Sequence, residues 1–291
     1  MAIDLYLNGQ FLAPENACIS VMDRGFLFGD GVYEVIPAYG GHPFRLQGHL
    51  QRLENSLLAI RMQPPLTHAE WREILDKLLK QLPGQDQQIY LQVTRGAYNK
   101  RLHAIPEQVN PTVLALTSKL GERDPDIGIR GVSAVTIEDI RWHHCDIKAI
   151  TLLANILGQQ QAHDQRADHA ILVRDNEAIE GASSNLFMVQ NELIITPPKS
   201  RDLLPGITRD LVLELAQESG LAHAEAMIEA RDLDTADEIW LTSSTREVMP
   251  VTSLNGNPVA DGKPGPLWQH INELYTACKA RLRLRASDEC I

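Results

Sequence analysis

The stretch RWHHCDIKAITLLANILG, from Arg141, holds one lysine, Lys148, in a region that otherwise carries its positive charge on arginine. No other lysine occurs between Lys119 and Lys199. Lys148 abuts apolar sequence, with Ile147 before it and Ala149 and Ile150 after. A lysine held in a desolvated pocket gives up its proton more readily and becomes a nucleophile toward carbonyls. By local pattern alone it reads first as a solvated surface charge. Downstream, IEGASSNLFMV sets Glu180 before Gly181, Ala182, Ser183 and Ser184, and then an apolar strand. Small residues let the backbone approach a flat ligand closely. A carboxylate there could hold a ring nitrogen in its protonated form.

Two anion-binding elements follow. LLPGITRDLVLEL places Gly206, Ile207 and Thr208 at a helix start, where free N–H groups and the helix dipole favour an anion. Thr208 serves equally as a simple N-cap. LTSSTREVMPV sets Thr242, Ser243, Ser244 and Thr245 after a strand, where hydroxyls and amides can share that anion. Each element is weak singly. Together they comprise a Schiff-base lysine, a carboxylate for a pyridinium nitrogen and a phosphate cradle, which are the requirements of pyridoxal phosphate. Cys145 and the His143–His144 pair lie beside the lysine. The cysteines Cys18, Cys145, Cys278 and Cys290 form no CxxC pair. Adjacent histidines point in different directions, so neither set reads as a metal centre.

The elements that must position these residues are mixed. DLYLNGQFL and VTSLNGNPV read as hairpins with Asn-Gly turns, and NLFMVQNELIIT as a hairpin turning at Gln190 and Asn191. LQGHLQRLENSLLAIRM and HAEWREILDKLLKQL have helical spacing, the second with Thr67 as N-cap. QIYLQVTRG, PTVLALTS, HAILVRD and EIWLTSS read as strands. TLLANILGQQQAHDQ, TRDLVLELAQESG and PLWQHINELYTACKARL read as helices. KLGERDPDIGIRG is polar and turn-rich, which sets a boundary near 120. The class is α+β in two domains, a smaller one over 1–120 and a larger one over 121–291. With 291 residues, 44% of them apolar, the chain can bury a sizeable core. A net charge of -11 repels nucleic acid and anionic membranes. The start lacks the basic and long apolar segments of a signal peptide, and no apolar run reaches membrane-spanning length. Reduced thiols then point to the cytoplasm.

The chain resembles the fold-type IV pyridoxal-phosphate enzymes, and within them the D-amino acid aminotransferases. The resemblance runs through DRGFLFGDGVYEV, HLQRL, IYLQVTRG, EDIRWHHCDIK, EGASSNLF, GITRD and TSSTREVMPV. It implies a cofactor-binding domain with a β-barrel-like core. It also implies that Lys148 carries the aldimine and shuttles the substrate α-proton, and that Glu180 pairs with the pyridine nitrogen. Arg52, Ile207, Thr208, Ser243 and Ser244 would bind the cofactor phosphate, and Leu204 would support one ring face.

In VTRGAYNKRLHAIPE, Arg101 and His103 can aim guanidinium and imidazole at one carboxylate. By resemblance this R-x-H element, with Tyr33, holds the substrate α-carboxylate. The loop then reaches the partner subunit's site in a homodimer. The reaction implied is ping-pong amino transfer from a D-amino acid of the D-alanine type to a 2-oxo acid such as 2-oxoglutarate or pyruvate. On the same fold, an (R)-amine transaminase, a branched-chain L-amino acid aminotransferase and aminodeoxychorismate lyase stay open. Arg101 with His103 argues against the first, the second binds its carboxylate through other loop motifs, and the third needs no amino acceptor. Outside the class stands a catalytically silent cofactor-binding protein, against which Lys148 and Glu180 together argue.

Overall fold

The computed structural model describes residues 4–284, so Cys290 lies outside it. The chain divides into two compact units. The first takes the residues up to Gly121, the segment Ile147–Thr151 and the chain from Lys279. The second takes Glu122–Asp146 and Leu152–Cys278. The lysine-bearing segment therefore belongs with the first unit, although the sequence on both sides of it belongs with the second.

The first unit contains β1 (Leu5–Leu7), β2 (Gln10–Leu12), α1 (Arg24–Phe28), β3 (Gly31–Tyr39), β4 (His42–Pro43), α2 (Leu46–Ala59), α3 (His68–Leu79), β5 (Gln87–Thr94) and β6 (Thr112–Lys119). Among the described residues its strands form one six-stranded sheet in the order β2-β1-β6-β5-β3-β4, antiparallel throughout. The period of two is plain on the central strands. Val32, Ile36, Ile89, Leu91 and Val93 are buried, while Tyr33, Tyr90 and Gln92 face the other way and are half-buried. Helix α2 supplies Leu46, Leu50, Leu53 and Leu57 to this core, each fully buried leucine contributing about 1.5–3 kcal/mol. Beside that stripe runs a second one, His49, Arg52 and Ser56, which is polar and equally buried. Helix α3 starts with a capping box, Thr67 and Glu70 each satisfying the other's backbone N–H.

The second unit contains α4 (Ile127–Arg130), β7 (Val132–Glu138), α5 (Leu153–Asp164), β8 (His169–Arg174), β9 (Glu177–Gly181), β10 (Ser184–Gln190), β11 (Leu193–Thr196), α6 (Ile207–Glu218), β12 (His223–Glu225), β13 (Glu238–Ser243), β14 (Glu247–Leu254) and β15 (Asn257–Pro258). Helix α7 (Pro266–Arg283) starts here and ends in the first unit. The strands run β10-β13-β14-β7-β8-β9, and β9 pairs back onto β10, so the sheet closes into a barrel. Closure is local: Ser184 and Asn185 pair with Gly181 and Glu180, whereas Met188 to Gln190 on the same strand pair with β11. Ala134, Ile171, Leu186, Leu241 and Met249 fill one face of the wall, and Val135, Ile137, Ala170 and Leu172 lie in a separate cluster with Ala162 of α5. Gly158 permits this approach of α5, since a Cβ there would lie 3.1 Å from Ile137 Cδ1.

The Asn-Gly hairpins stand where the sequence sets them, with positive φ at Asn8 and Gly9 and at Asn255 and Gly256. The third expected hairpin turns one residue later, at Asn191 and Glu192. A further hairpin, β8–β9 at Asp175 and Asn176, makes the Glu180 segment a strand rather than a turn.

Candidate active site

In the first unit, Lys148 is fixed by its backbone. Its carbonyl accepts from Tyr33 N–H at 3.0 Å, and its own N–H donates to Ser56 Oγ at 3.2 Å. Ala149 bridges to Val32, and Ile150 N–H donates to Gly31 O, so the segment lies against the start of β3. The half-buried ammonium sits 4.3 Å from the centre of the Tyr33 ring. Tyr33 itself tilts against Tyr90 at 5.9 Å.

Behind the lysine segment, the polar stripe of α2 meets Glu34 of β3. Arg52 donates to both Glu34 oxygens, from Nε at 2.7 Å and from Nη2 at 2.9 Å. His49 Nδ1 lies 2.8 Å from Glu34 Oε2. Burial alone would push Glu34 up, but Arg52 and His49 hold its carboxyl well below the usual carboxylate range. Burial lowers His49, with the charges of Arg52 and Lys148 adding to it against Glu34. A neutral His49 can still donate through Nδ1–H. Arg52, expected at a phosphate, is thus oriented by a carboxylate that sequence reasoning did not single out.

Arg101 and His103 lie in an exposed loop of the same unit. Both pack on Phe28, the guanidinium 5.0 Å and the imidazole 5.5 Å from its ring centre. Arg24 anchors the loop by donating to the Leu102 and His103 carbonyls.

In the second unit, Glu180 lies at the barrel seam, 4% exposed. Its Oε1 accepts from Arg141 Nη1 at 2.6 Å, and its Oε2 accepts from Asn185 Nδ2 at 3.1 Å and Leu204 N–H at 3.2 Å. Burial pushes Glu180 up to about 7, with the Arg141 charge and the Leu204 N–H opposing it only in part. Asn185 also donates to the Leu204 carbonyl at 2.8 Å, which ties the carboxylate to the segment leading into α6. Gly206 ends that segment, and a Cβ on it would lie 1.8 Å from Asn185 Oδ1.

Helix α6 opens at Gly206 with no side-chain cap, followed by Ile207 and the buried Thr208. Asn185 of β10 pairs across the sheet with Thr242 of β13, and Ser243 ends that strand beside Ser244. The Thr242 hydroxyl is buried without a hydrogen-bond partner among the described residues. Glu180, Leu204, Ile207, Thr208, Ser243 and Ser244 are therefore linked in this unit through Asn185 and its strand partner. Thr242 belongs to the hydroxyl run that the sequence offers for an anion, whereas Arg141 and Asn185 are candidates that sequence reasoning does not single out. The latter two lie inside EDIRWHHCDIK and EGASSNLF, where only their three-dimensional partners reveal them.

Near Lys148 in sequence, Cys145 Sγ lies 3.1 Å from the Trp142 carbonyl, and burial pushes its thiol up to about 11. That is the profile of an inert thiol. His143 pairs with Asp202 at 2.9 Å, and His144 lies 3.8 Å from Asp146.

The chain belongs to the amino-transferase class IV family, whose pattern matches residues 31–254. It is an aminotransferase, and enzymes of this class use pyridoxal phosphate. It is 37% identical to a D-alanine aminotransferase of Listeria monocytogenes, covering 92% of this chain and 93% of that one. It is 39% identical to the D-alanine aminotransferase of Bacillus licheniformis, covering 91% and 93%. Among solved structures it is similar to the branched-chain amino acid aminotransferase of Thermoproteus uzoniensis with norvaline. The TM-score there is 0.88 at 25% identity, over 96% of this chain and 95% of that one. The branched-chain enzyme of Escherichia coli gives 0.86 at 25% identity, over 95% and 94%.

The residues present fit the cofactor of the class. An uncapped helix start and an orphaned buried hydroxyl suit a phosphate, and a carboxylate moved to about 7 suits a weakly basic ring nitrogen. Among the described residues no helix is long and apolar enough to cross a membrane.

Proposed function

We propose that the protein transfers amino groups from D-amino acids, of the D-alanine type, to a 2-oxo acid such as 2-oxoglutarate or pyruvate. The observation that carries the reaction type is Glu180. A carboxylate buried in the barrel wall costs stability that an apolar residue would not. Its three donors make sense if the anion is used. Bound pyridoxal phosphate supplies an aldehyde that condenses with amines and a ring that accepts the electron pair left at Cα.

Lys148 binds the cofactor, and its amino group takes the proton from the substrate Cα. Tyr33, stacked under the ammonium, orients it. Glu180 holds negative charge for the ring nitrogen. Ile207 and Thr208 with Ser243 and Ser244 bind the phosphate, as does Arg52, which Glu34 holds in one orientation. Leu204 offers an apolar surface to the ring. Arg101 and His103 take the substrate carboxylate. The curated D-alanine relatives support this choice of substrate.

A homodimer, with the Arg101 loop serving the partner's site, accounts for Phe26 standing 69% exposed on α1, near the same loop's anchor Arg24. A cytoplasmic location goes with the free thiols of Cys18 and Cys145. The solved relatives favour a second reading, transamination of branched-chain L-amino acids.

Holoenzyme mixed separately with D-alanine, L-leucine and (R)-1-phenylethylamine decides between these. The visible cofactor band should bleach with D-alanine alone. Bleaching with L-leucine alone would overturn the substrate assignment, and wild-type turnover by Lys148→Ala would overturn the role of the lysine.

A further inference from the structure

We infer that Arg141 is a positioning residue for the ring nitrogen. By holding the Glu180 side chain as an anion, it determines whether the proton between that side chain and the ring nitrogen rests on oxygen or on nitrogen. The inference rests on the role of Glu180 proposed above. It concerns a residue that touches neither substrate nor cofactor in that account and acts through Glu180.

The geometry singles Arg141 out. Of the three donors to Glu180, those from Asn185 and Leu204 are neutral and longer, at 3.1 and 3.2 Å. Arg141 Nη1 approaches to 2.6 Å and brings a full positive charge. Among the described residues it is the one cation paired with this carboxylate. Its side chain is 7% exposed, so the pair acts with little screening by water.

Arg141 cannot leave. Its Nε and Nη2 both donate to Asp139 at 2.9 Å, and Nη2 also reaches the Asp202 carbonyl at 3.2 Å. Asp139 is itself held by Arg174 at 2.9 Å, and Arg174 pairs with Asp202. Both edges of the guanidinium are therefore committed, one to each of two carboxylates.

The charged and titratable groups around Glu180 divide accordingly. The segment before Lys148 brings Arg141, Asp139 and Cys145, and Arg174 of β8 with Asp202 closes the far side. Strand β10 contributes only the neutral Asn185. Asp139 draws on the same cation as Glu180. Even with Arg141 in place, burial brings Glu180 up to about 7. Without that cation the carboxyl stays neutral at physiological pH, and a neutral acid donates to a pyridine nitrogen rather than leaving a proton on it. The electron sink then weakens although every group that contacts the cofactor is still present.

The test is the nitrogen chemical shift of holoenzyme loaded with pyridoxal phosphate carrying 15N in the ring. Wild type and Arg141→Lys, which keeps the charge, should show a protonated ring nitrogen at neutral pH. Arg141→Met should show the neutral nitrogen. Arg141→Gln, which keeps a hydrogen-bond donor without the charge, should show the neutral nitrogen as well, and it decides the matter if Arg141→Met does not fold. A protonated nitrogen in Arg141→Met or in Arg141→Gln overturns the inference and leaves the proposed reaction standing. A neutral nitrogen in wild type overturns the role of Glu180 and the inference with it.

Discussion

Two buried carboxylates in this chain are built from the same parts and end in opposite states. Glu34 lies under α2 with Arg52 and His49, and it is held well below the usual range. Glu180 lies at the barrel seam with Arg141 and Asn185, and it is pushed up to about 7. Burial acts upward on both. The difference lies in how the cation is shared. Arg52 commits its Nε and Nη2 donors to Glu34, and His49 adds a further one. Arg141 gives Glu180 one nitrogen and gives Asp139 the other edge. A carboxylate that takes two donors from one guanidinium and a third from an imidazole becomes a fixed charge that orients its neighbours. One that shares its guanidinium stays close to its own titration and can respond to a ligand.

The contrast breaks most sharply if Arg52 is removed. Arg52→Met strands Glu34 in the core and should lower unfolding free energy by about 3–5 kcal/mol, read from urea midpoints of the apoprotein. A loss below about 1 kcal/mol would mean that Glu34 does not depend on its partner. At the other cluster, Gly206→Ala should weaken cofactor binding, because the new methyl group meets Asn185 Oδ1 at 1.8 Å. Asn185→Ala in the same chain should recover part of the affinity, as read by cofactor titration. No recovery would show that the clash lies elsewhere.

The smallest effect is in the pH dependence of stability, and its sign differs between the two residues. Glu34, with its folded value depressed, stabilises the fold above the ordinary carboxylate value near 4.5, and that contribution is lost as pH falls through and below it. Glu180, with its folded value raised, costs nothing below about 4.5 and most above 7, because the unfolded chain ionises first. Glu180→Gln should therefore gain stability relative to wild type between pH 5 and pH 8. Urea midpoints at those two values check it, and an unchanged difference would place Glu180 at its ordinary value.

Much of the scaffold was legible because its causes are local. The capping box at Thr67, the leucine stripe of α2 and the two Asn-Gly turns each depend on residues a few positions apart. The turn at Asn191 and Glu192 slipped by one because a glutamate in the left-handed region gives no glycine signal. Strand β9 gives no strand signal in the sequence, and pairing with β8, and with β10 at Glu180 and Gly181, supplies what propensity does not. The site followed the same division. Lys148, Glu180 and the helix start at Gly206 are each weak signals alone and stand out only as a set. Glu34, His49 and Arg141 act through partners on other elements, and nothing in the linear order pairs Arg141 with a carboxylate 39 positions away.

The pairing of β9 with β10 has a kinetic consequence. An open sheet would end at β9 and could fray from that edge, exposing Glu180 to water in brief local openings. Because the wall is closed there, Glu180 and Gly181 of β9 have a paired neighbour on each side. Their amides should exchange with solvent as slowly as those of the barrel's central strands. The carboxylate then keeps its dry surroundings for as long as the barrel itself survives. Heat inactivation should accordingly follow the melting of this unit as one event, with no earlier stage in which the fold persists and the charge has been lost.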